Sequence, residues 1–465
     1  MVHRHILLLT FPTQGSLNPS LQFAKNLVKM GVKVTVLATL SAQRRMISNN
    51  ASPTLEGLTF AYFSDGYDDG IKLSGDLNHF RSEFKSRSSK AMAELITASG
   101  NEGHPITCLV YNMLLSWTAA LARDFNIACA PLWVQPAAIF NVYFHYFNGY
   151  EDEIRKLSTD NSSGWVEIPG LPPLARRDLP TYMLPSKSVN PFALPAFKEE
   201  LETLDAESKK PTVLINTFDS LEEEALRAIE KYHLVAVGPL VPLAFLDGKD
   251  TSDAFGCDLV QKSRDDIIGE WLDAKQRLSV VYVSFGSFLG VSDQQMEEIA
   301  RGLLESNRPF LWVIKDTESA HKLSCRDELE RQGKIVPWCS QLEVLSHPSL
   351  GCFVTHCGWN SSLETLVCGV PIVGLPLFTD QPINAKLLED TFKIGVRLTV
   401  NEQGITEGDE VKRCIEVVMG EGEKGEEMRR NAKKWKDLAK EATKEGGSSY
   451  VNLRAFVDEI QGDLQ

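Results

Sequence analysis

Three short segments carry residue types that could do chemistry together. The first, Thr355-His-Cys-Gly-Trp-Asn-Ser-Ser-Leu-Glu364, follows an apolar run and opens an amphipathic one. A loop in that position is an anion site. The first backbone N–H groups of a helix have no partner inside it, and the helix dipole places partial positive charge there. Gly358 permits close backbone approach, and Asn360 and Ser361 stand where the free N–H groups meet. His356 can donate to a phosphate oxygen, or it can simply be packed in a core. The second segment, Tyr282-Val-Ser-Phe-Gly-Ser287, has the same loop shape at another strand end, so two loops could face one diphosphate. The third, Phe11-Pro-Thr-Gln-Gly-Ser-Leu-Asn-Pro19, follows the first apolar run. Gly15 allows a sharp turn, and Ser16 or Asn18 can cap the next helix. That segment reads either as a ligand loop on a cleft floor or as an ordinary strand-to-helix turn. Neither GxxxxGK[ST] nor a GxGxxG after the first strand occurs, which argues against a P-loop nucleotidase and a dinucleotide oxidoreductase.

Loops of this kind need strands and helices alternating behind them. The pattern predicts strands at His5–Thr10, Val32–Thr39, Thr107–Tyr111, Ala130–Val134, Pro211–Phe218 and Leu234–Val237. Helices are predicted over Leu17–Met30, Asp76–Ser99 and Trp117–Phe125, and Ser220 with Glu223 suggests a capping box. From about Pro239 to Asp266 the period lapses into Pro, Gly, Asp and Ser, as in a linker. A second series follows. Its strands are Ser279–Ser284, Phe310–Ile314, Lys334–Pro337, Gly351–Thr355, Pro371–Leu377 and Val396–Val400. Its helices are Asp293–Glu305, Gln381–Phe392, Glu407–Met419, Lys424–Thr443 and a last one from about Tyr450 to Ile460. Two consecutive α/β series predict two doubly wound, Rossmann-like parallel domains with a ligand cleft at the strand C-termini. The expected division is 1–240, a linker 241–266, a second domain 267–445, and a C-terminal helix 446–465 packing back on the first domain.

The 465 residues fit two large domains, and 43% apolar with 24% charged residues is a globular composition. With 48 basic and 62 acidic side chains the net charge is −14, which argues against nucleic acid and anionic membranes as partners. No apolar run reaches the ~18 residues of a membrane span. Ile6 to Phe11 is too short for a secretory core and reads as a buried first strand. The nine cysteines are scattered, without a CxxC pair, as expected of reduced thiols in a cytoplasmic protein rather than of disulfides or a zinc site. Three glycosylation-type triplets, at Asn50, Asn161 and Asn360, carry no meaning in that setting.

Trp338-Cys-Ser-Gln341, His356-Cys-Gly-Trp-Asn-Ser361, Glu364 and Asp380-Gln381 all fall in one 44-residue stretch. It resembles, unbroken and at the expected spacing, the signature box of the plant family 1 UDP-glycosyltransferases. The Phe-Pro-x-Gln-Gly opening and Val-Ser-Phe-Gly-Ser extend the resemblance over nearly the whole chain. Leu132-Trp-Val-Gln-Pro136, Tyr143–Tyr150 and Phe245-Leu-Asp-Gly-Lys-Asp250 are similar to the subgroup of anthocyanin 5-O-glucosyltransferases and crocetin glucosyltransferases, the latter acting on carboxylates. The resemblance implies a GT-B fold and inverting, metal-independent sugar transfer, with UDP-glucose as co-substrate and no cofactor. It implies that Trp338 stacks on uracil, with Cys339 and Gln341 near base and ribose and Glu364 accepting from the ribose hydroxyls. Ser287, His356, Asn360 and Ser361 would hold the diphosphate, and Trp359, Asp380 and Gln381 the sugar, with Gln381 favouring glucose.

One departure stands out. In the family the residue after Gln-Gly is the catalytic His, oriented by an Asp at a later strand end; here those positions hold Ser16 and Asn112. A serine hydroxyl is no base near neutral pH, and loss of a general base typically costs ~10²–10⁴ in rate. Three readings follow. The acceptor is acidic enough to need no base; another group serves, such as His145 or a water held by Ser16; or the chain has lost sugar transfer and binds or converts a metabolite by another route. Trp133, Phe140, Phe144 and Met183 are the expected acceptor wall, suited to a flat phenolic or elongated apolar molecule, although half of them could pack the core instead. Lys424–Thr443 reads as a solvated face. The expected partners are a UDP-sugar and a small-molecule acceptor, with no nucleic acid and no membrane span, for a cytoplasmic monomer.

Overall fold

The computed structural model describes residues 4–48, 55–70, 76–159, 164–184, 193–242, 266–286 and 291–462. The first half contains β1 (His5–Leu9), β2 (Lys33–Thr39), β3 (Leu58–Phe63), β4 (Cys108–Asn112), β5 (Ala128–Trp133), the short pair β6 (Trp165–Val166) and β7 (Leu174–Ala175), β8 (Thr212–Ile215) and β9 (His233–Ala236). Seven of these make one parallel sheet in the order β3-β2-β1-β4-β5-β8-β9. The second half adds β10 (Val280–Ser284), β11 (Phe310–Val313), β12 (Lys334–Val336), β13 (Leu350–Thr355), β14 (Ile372–Gly374) and β15 (Gly395–Arg397). They form a second sheet in the order β12-β11-β10-β13-β14-β15, with every pairing parallel.

Continuous apolar runs explain why these strands are central. A parallel sheet is covered on both faces, so a strand such as His-Ile-Leu-Leu-Leu can be buried at every position, as β1 is. The two-residue period then sorts the side chains. Ile6, Leu8, Cys108 and Val110 join one core, with Leu17, Leu21 and Ala24 of the first helix, Gln14–Lys29. Leu7, Leu9, Leu109 and Tyr111 join another, with Phe80 and Phe84. Each fully buried Leu or Val of this kind contributes about 1.5–3 kcal/mol. By the same alternation Asn112, at the end of β4, points toward the first helix, while Tyr111 points away from it.

Strand order reverses between β1 and β4 in the first sheet and between β10 and β13 in the second. The crevice at such a switch point is where ligands bind. The loops leaving these four strands are the three segments singled out above plus Met113–Ser116. The domains are tied across the cleft by a buried ion pair, Arg397 to Asp178 at 2.7 Å, and by Thr181 and Thr379, which exchange bonds of 3.0 and 2.8 Å. The last helix, Ser448–Gly462, puts Leu453, Phe456, Val457 and Ile460 into the same core as β1. Its Asn452 amide donates to the carbonyl of Ala236, 3.0 Å away.

Several local expectations change. The first helix starts at Gln14 with Thr13 as its cap residue, so Ser16 and Asn18 lie inside the first turns and cap nothing. Ser220 does not cap either; the residue before the helix Glu223–Arg227 is Glu222, whose carboxylate caps a different helix by accepting from the backbone N–H of Ala137 and Ala138 at 3.0 and 2.9 Å. The sequence pattern left 40–75 unassigned, where the chain makes the helix Leu40–Ser48 and β3. The linker apart from its first two residues and its last, and the segment 245–250, lie outside the described residues.

Candidate active site

His356 follows β13 directly and sits in a glycine vice. A Cβ on Gly286, after β10, or on Gly358 would lie 2.6 Å from His356 Nε2, well inside contact distance. Both glycines are therefore required by the imidazole, and Gly286 also holds a φ of +79°. Burial lowers the pKa of His356 to about 4, so the ring is neutral at pH 7, and its Nδ1 has no hydrogen-bond partner among the described residues. A neutral ring still offers one N–H to an anion. Behind it, Cys357 is held at φ +62° and Gly358 precedes the ten-residue helix Trp359–Cys368. The start of that helix thus abuts the ring. Ser287 lies outside the described residues.

The base and ribose end is a network rather than a set of separate contacts. Gln341 donates from Nε2 to Ser361 Oγ at 2.9 Å and to Glu364 Oε2 at 2.6 Å, and its Oε1 accepts from the Tyr282 hydroxyl at 3.3 Å. Its side chain, expected near base and ribose, sets the carboxylate of Glu364 and the hydroxyl of Ser361. Cys339 is buried with Sγ 3.5 Å from the Tyr282 hydroxyl, and Trp338 is half-buried at the end of β12.

At the sugar end, Asp380 Oδ1 accepts from Thr379 Oγ1 at 2.6 Å and Oδ2 from Asn384 Nδ2 at 2.8 Å. The same Asn384 amide donates to the carbonyl of Cys357 at 3.0 Å, which couples this loop to the His356 loop. Gln381 Oε1 accepts from the backbone N–H of Leu377 and Phe378, both at 2.9 Å, so its amide polarity is fixed and its N–H donors have no partner among the described residues. Thr379 stands at φ +58°. Left-handed conformations at non-glycine residues cost about 1–3 kcal/mol and persist where the surroundings enforce them. Trp359 does not offer its indole to a sugar. It is buried, and its Nε1 donates across the cleft to the carbonyl of Asn216 at 2.7 Å.

The opposite wall belongs to the first domain. Asn360 Nδ2 donates to the carbonyl of Gly15 at 2.9 Å, which brings the diphosphate corner against the residue before Ser16. Ser16 is buried, its Oγ accepts from Thr13 Oγ1 at 3.2 Å, and its carbonyl accepts from Ser20 Oγ at 2.7 Å. Asn112 Oδ1 accepts from the Phe11 N–H at 2.9 Å, and its Nδ2 donates to Ser20 Oγ at 2.9 Å. Asn112 therefore braces the loop and the first helix turn and is not bonded to the Ser16 hydroxyl. His145 has an Nε2 without a hydrogen-bond partner among the described residues. It ends the helix Ala137–His145, edge-on to Phe144 and Tyr150 at 5.2 Å each, and burial lowers its pKa.

Of the expected acceptor wall, Trp133 and Phe140 are core residues, 2% and 1% exposed, packed edge-to-face at 5.0 Å. Met183 is buried beside the Thr181–Thr379 crossing, and Phe144 remains partly exposed. Sequence reading took Tyr143 only as the start of the segment Tyr143–Tyr150 and missed Tyr182. Burial and the charge of Asp380 raise both phenols, and the Tyr143 hydroxyl has no partner among the described residues. It also missed Glu200, whose Oε1 accepts from the Tyr111 hydroxyl at 2.8 Å and whose pKa burial lifts to about 7. Only its place in an amphipathic stretch, on the side of Phe197 and Leu201, could have flagged that carboxylate.

Known proteins are similar to this chain in sequence and fold. The profile of the family described as UDP-glucoronosyl and UDP-glucosyl transferase matches residues 7–437. The UDP-glycosyltransferase 75C1 of Solanum lycopersicum is 56% identical over 99% of this chain and 99% of its own length. The crocetin glucosyltransferase, chloroplastic, of Gardenia jasminoides is 55% identical over 98% of this chain and 97% of its own. Among solved structures, Os79 from O. sativa in complex with UDP superposes with a TM-score of 0.83 at 32% identity, covering 98% of this chain and 100% of that one.

Proposed function

The chain belongs to the UDP-glucuronosyl and UDP-glucosyl transferase family and is a UDP-dependent glycosyltransferase of GT-B fold, and we propose that it transfers glucose, with inversion, to an already ionised oxygen of a small plant secondary metabolite. The observation that carries the acceptor class is the contrast at Asn360 and Gly15. The leaving-group corner is preorganised, and the group touching it from the other wall is followed by a serine with no base bonded to it among the described residues.

In this reading the acceptor oxygen attacks the anomeric carbon while the bond from that carbon to the β-phosphate oxygen breaks. Negative charge grows on UDP. The neutral His356 ring, Asn360, Ser361 and the start of the helix Trp359–Cys368 are fixed donors and dipoles aimed at that charge, which is where electrostatic catalysis acts. Trp338 faces the base, Cys339 lies beside it, Glu364 takes the ribose, and Asp380 and Gln381 hold the sugar. Ser287 is assigned to the diphosphate by its motif alone. Phe144 and Met183 belong to the acceptor wall. Ser16 and Asn112 occupy the base and orienter positions without those roles, and His145 is not needed.

The magnitudes favour a carboxylate or an acidic phenol. At pH 7 an ordinary phenol of pKa ~10 is ionised about once in a thousand molecules, whereas a carboxylate of pKa ~4 is fully ionised. That factor is about what a general base supplies. A two-domain division at 1–240 and 267–445, with 446–465 returning to the first domain, a monomeric state and a cytoplasmic location complete the proposal. Light scattering and cell fractionation address the last two.

The test is a series of acceptors of graded pKa and similar size, assayed with UDP-glucose at fixed pH. We expect kcat/KM to fall about tenfold for each unit of acceptor pKa above the assay pH. Equal turnover of acceptors on both sides of pKa 7 would defeat the proposal.

A further inference from the structure

A pocket in the cleft takes its walls from both domains, and two polar atoms of its lining residues lack partners among the described residues. Asn18 and Gln22 of the first helix and Asn216 from the loop after β8 face Asn360 and Glu364 of the helix Trp359–Cys368. Two atoms of its lining residues are unsatisfied among the described residues: Asn18 Oδ1 lacks a donor and Asn216 Nδ2 lacks an acceptor. Neither is an open surface group, since both atoms are shielded from solvent and Asn216 is 1% exposed. The Asn216 amide cannot turn over to hide its N–H groups. Its Oδ1 accepts from the Leu240 N–H at 2.8 Å, and a flipped amide would set donor against donor there. Its main-chain carbonyl is held as well, by the Trp359 indole at 2.7 Å.

Buried polar groups in native proteins are almost always paired, so an unfilled acceptor and an unfilled donor on residues of the same pocket call for a partner from outside the chain, a ligand group or a water. A carbonyl or a phosphate oxygen satisfies only the donor, and an ammonium only the acceptor. A hydroxyl, which both donates and accepts, satisfies the two at once. The opposite wall carries Glu364, assigned above to the ribose, and Asn360, assigned to the diphosphate. We propose that Asn18 and Asn216 are donor-binding residues contributed by the first domain: Asn18 Oδ1 accepts from a ribose hydroxyl of the UDP-sugar, and Asn216 Nδ2 donates to it. The inference rests on the reading of Glu364 as the ribose acceptor. It makes the ribose a bridge between the domains, with Glu364 on one side and two asparagines on the other.

Calorimetry with UDP, 2′-deoxy-UDP and 3′-deoxy-UDP on the full chain tests this. Asn18→Ala removes the acceptor, and Asn18→Leu removes it while keeping the bulk; thermal melts verify that each variant is folded. We expect both variants to weaken UDP binding at least fivefold and to bind one of the two deoxynucleotides as tightly as wild type does, because that ligand never made the bond. Equal weakening toward all three nucleotides, or none toward any, would overturn the proposal and leave a structural water or plain packing in the pocket. Glu364→Ala separates the two levels. If it distinguishes UDP from a deoxynucleotide and the Asn18 variants do not, only the asparagine assignment fails. If Glu364→Ala also treats all three alike, the ribose assignment itself fails.

Discussion

The two walls of the cleft are built on opposite plans. On the second-domain wall nearly every polar side chain is held by another before any ligand arrives: Gln341 sets Glu364 and Ser361, Asn384 joins Asp380 to the Cys357 carbonyl, and two glycines grip His356. On the first-domain wall the corresponding positions, Ser16 and Asn112, are bonded into their own loop and helix. One wall is organised to receive charge on a leaving group. The other is organised to stay rigid, and it has no proton acceptor at Ser16 or Asn112. The difference separates two halves of a displacement reaction that are often treated as one site. Stabilising the departing UDP and activating the nucleophile draw on different side chains, so one can be complete where the other is supplied by the acceptor's own acidity.

The largest expected effect strikes the rigid donor corner. Gly358 has an ordinary φ of −61°, so alanine there meets no backbone penalty, yet its Cβ would stand 2.6 Å from His356 Nε2. Gly358→Ala should displace the imidazole and lower kcat/KM by about 10²–10³, the usual loss when one preorganised donor is removed. In a His356→Ala background the same change should cost little, since the clash is gone. Kinetics of the two single variants and the double variant decide it. Additive losses would mean that the glycine serves something other than the ring, and the contrast between the walls would lose its sharpest support.

Part of this was legible in the sequence for a clear reason. Strand ends and glycine loops are local features, and the alternation of buried residues along β1 and β4 is a property of the strand itself. What stayed hidden depends on partners far along the chain. The indole of Trp359 on the carbonyl of Asn216 and the amide of Gln341 on Glu364 are contacts of this kind. Trp133 and Phe140 have the composition of a pocket wall, and only packing against Phe197 and Tyr232 makes them core. The left-handed backbone at Cys357 and Thr379 has no sequence signature, because those residue types seldom adopt it.

The next effect concerns pH and shows what the first-domain wall does titrate. Glu200 lies on the far side of β4 from the first helix, fully buried, facing Tyr111, the Leu114 N–H, Glu199 and the Arg81 guanidinium. Burial lifts its pKa to about 7, above the ~4.3 of an exposed glutamate. The folded state therefore holds this proton more tightly than the unfolded chain. Stability contributed by the neutral acid is complete below about pH 4 and is lost as pH rises toward 7, by roughly 3–4 kcal/mol in all. Glu200→Gln, which can still accept from Tyr111, should remove that decline. Urea unfolding at pH 5 and pH 8 measures it as a smaller pH difference for the variant than for wild type. Turnover of a carboxylate acceptor should stay level over the same interval. If it follows the Glu200 titration instead, the first-domain wall takes part in the chemistry after all.

The smallest effect, and the one that bears most directly on the contrast, is the attempt to rebuild a base. Ser20 Oγ gives its hydrogen to the Ser16 carbonyl and so can only accept from residue 112, which the Asn112 amide satisfies. Asn112→Asp replaces that donor with an acceptor in a fully buried place. Ser20 must then turn its hydrogen to the new carboxylate and abandon Ser16, and the loss should be about 1–3 kcal/mol of stability with no gain in rate. Ser16→His alone should raise turnover of high-pKa phenols about tenfold, short of the full effect of a general base, because nothing orients the ring. Together the two changes give the carboxylate an imidazole to hold. The destabilisation caused by Asn112→Asp should shrink, and phenol turnover should exceed the sum of the single effects by at least about 1 kcal/mol of coupling. A double-mutant cycle in kcat/KM, with melting temperatures alongside, reads both quantities. Zero coupling would mean that the bracing of Asn112 against Phe11 and Ser20 cannot host a base and its orienter, and that the two walls differ in architecture as well as in two residues.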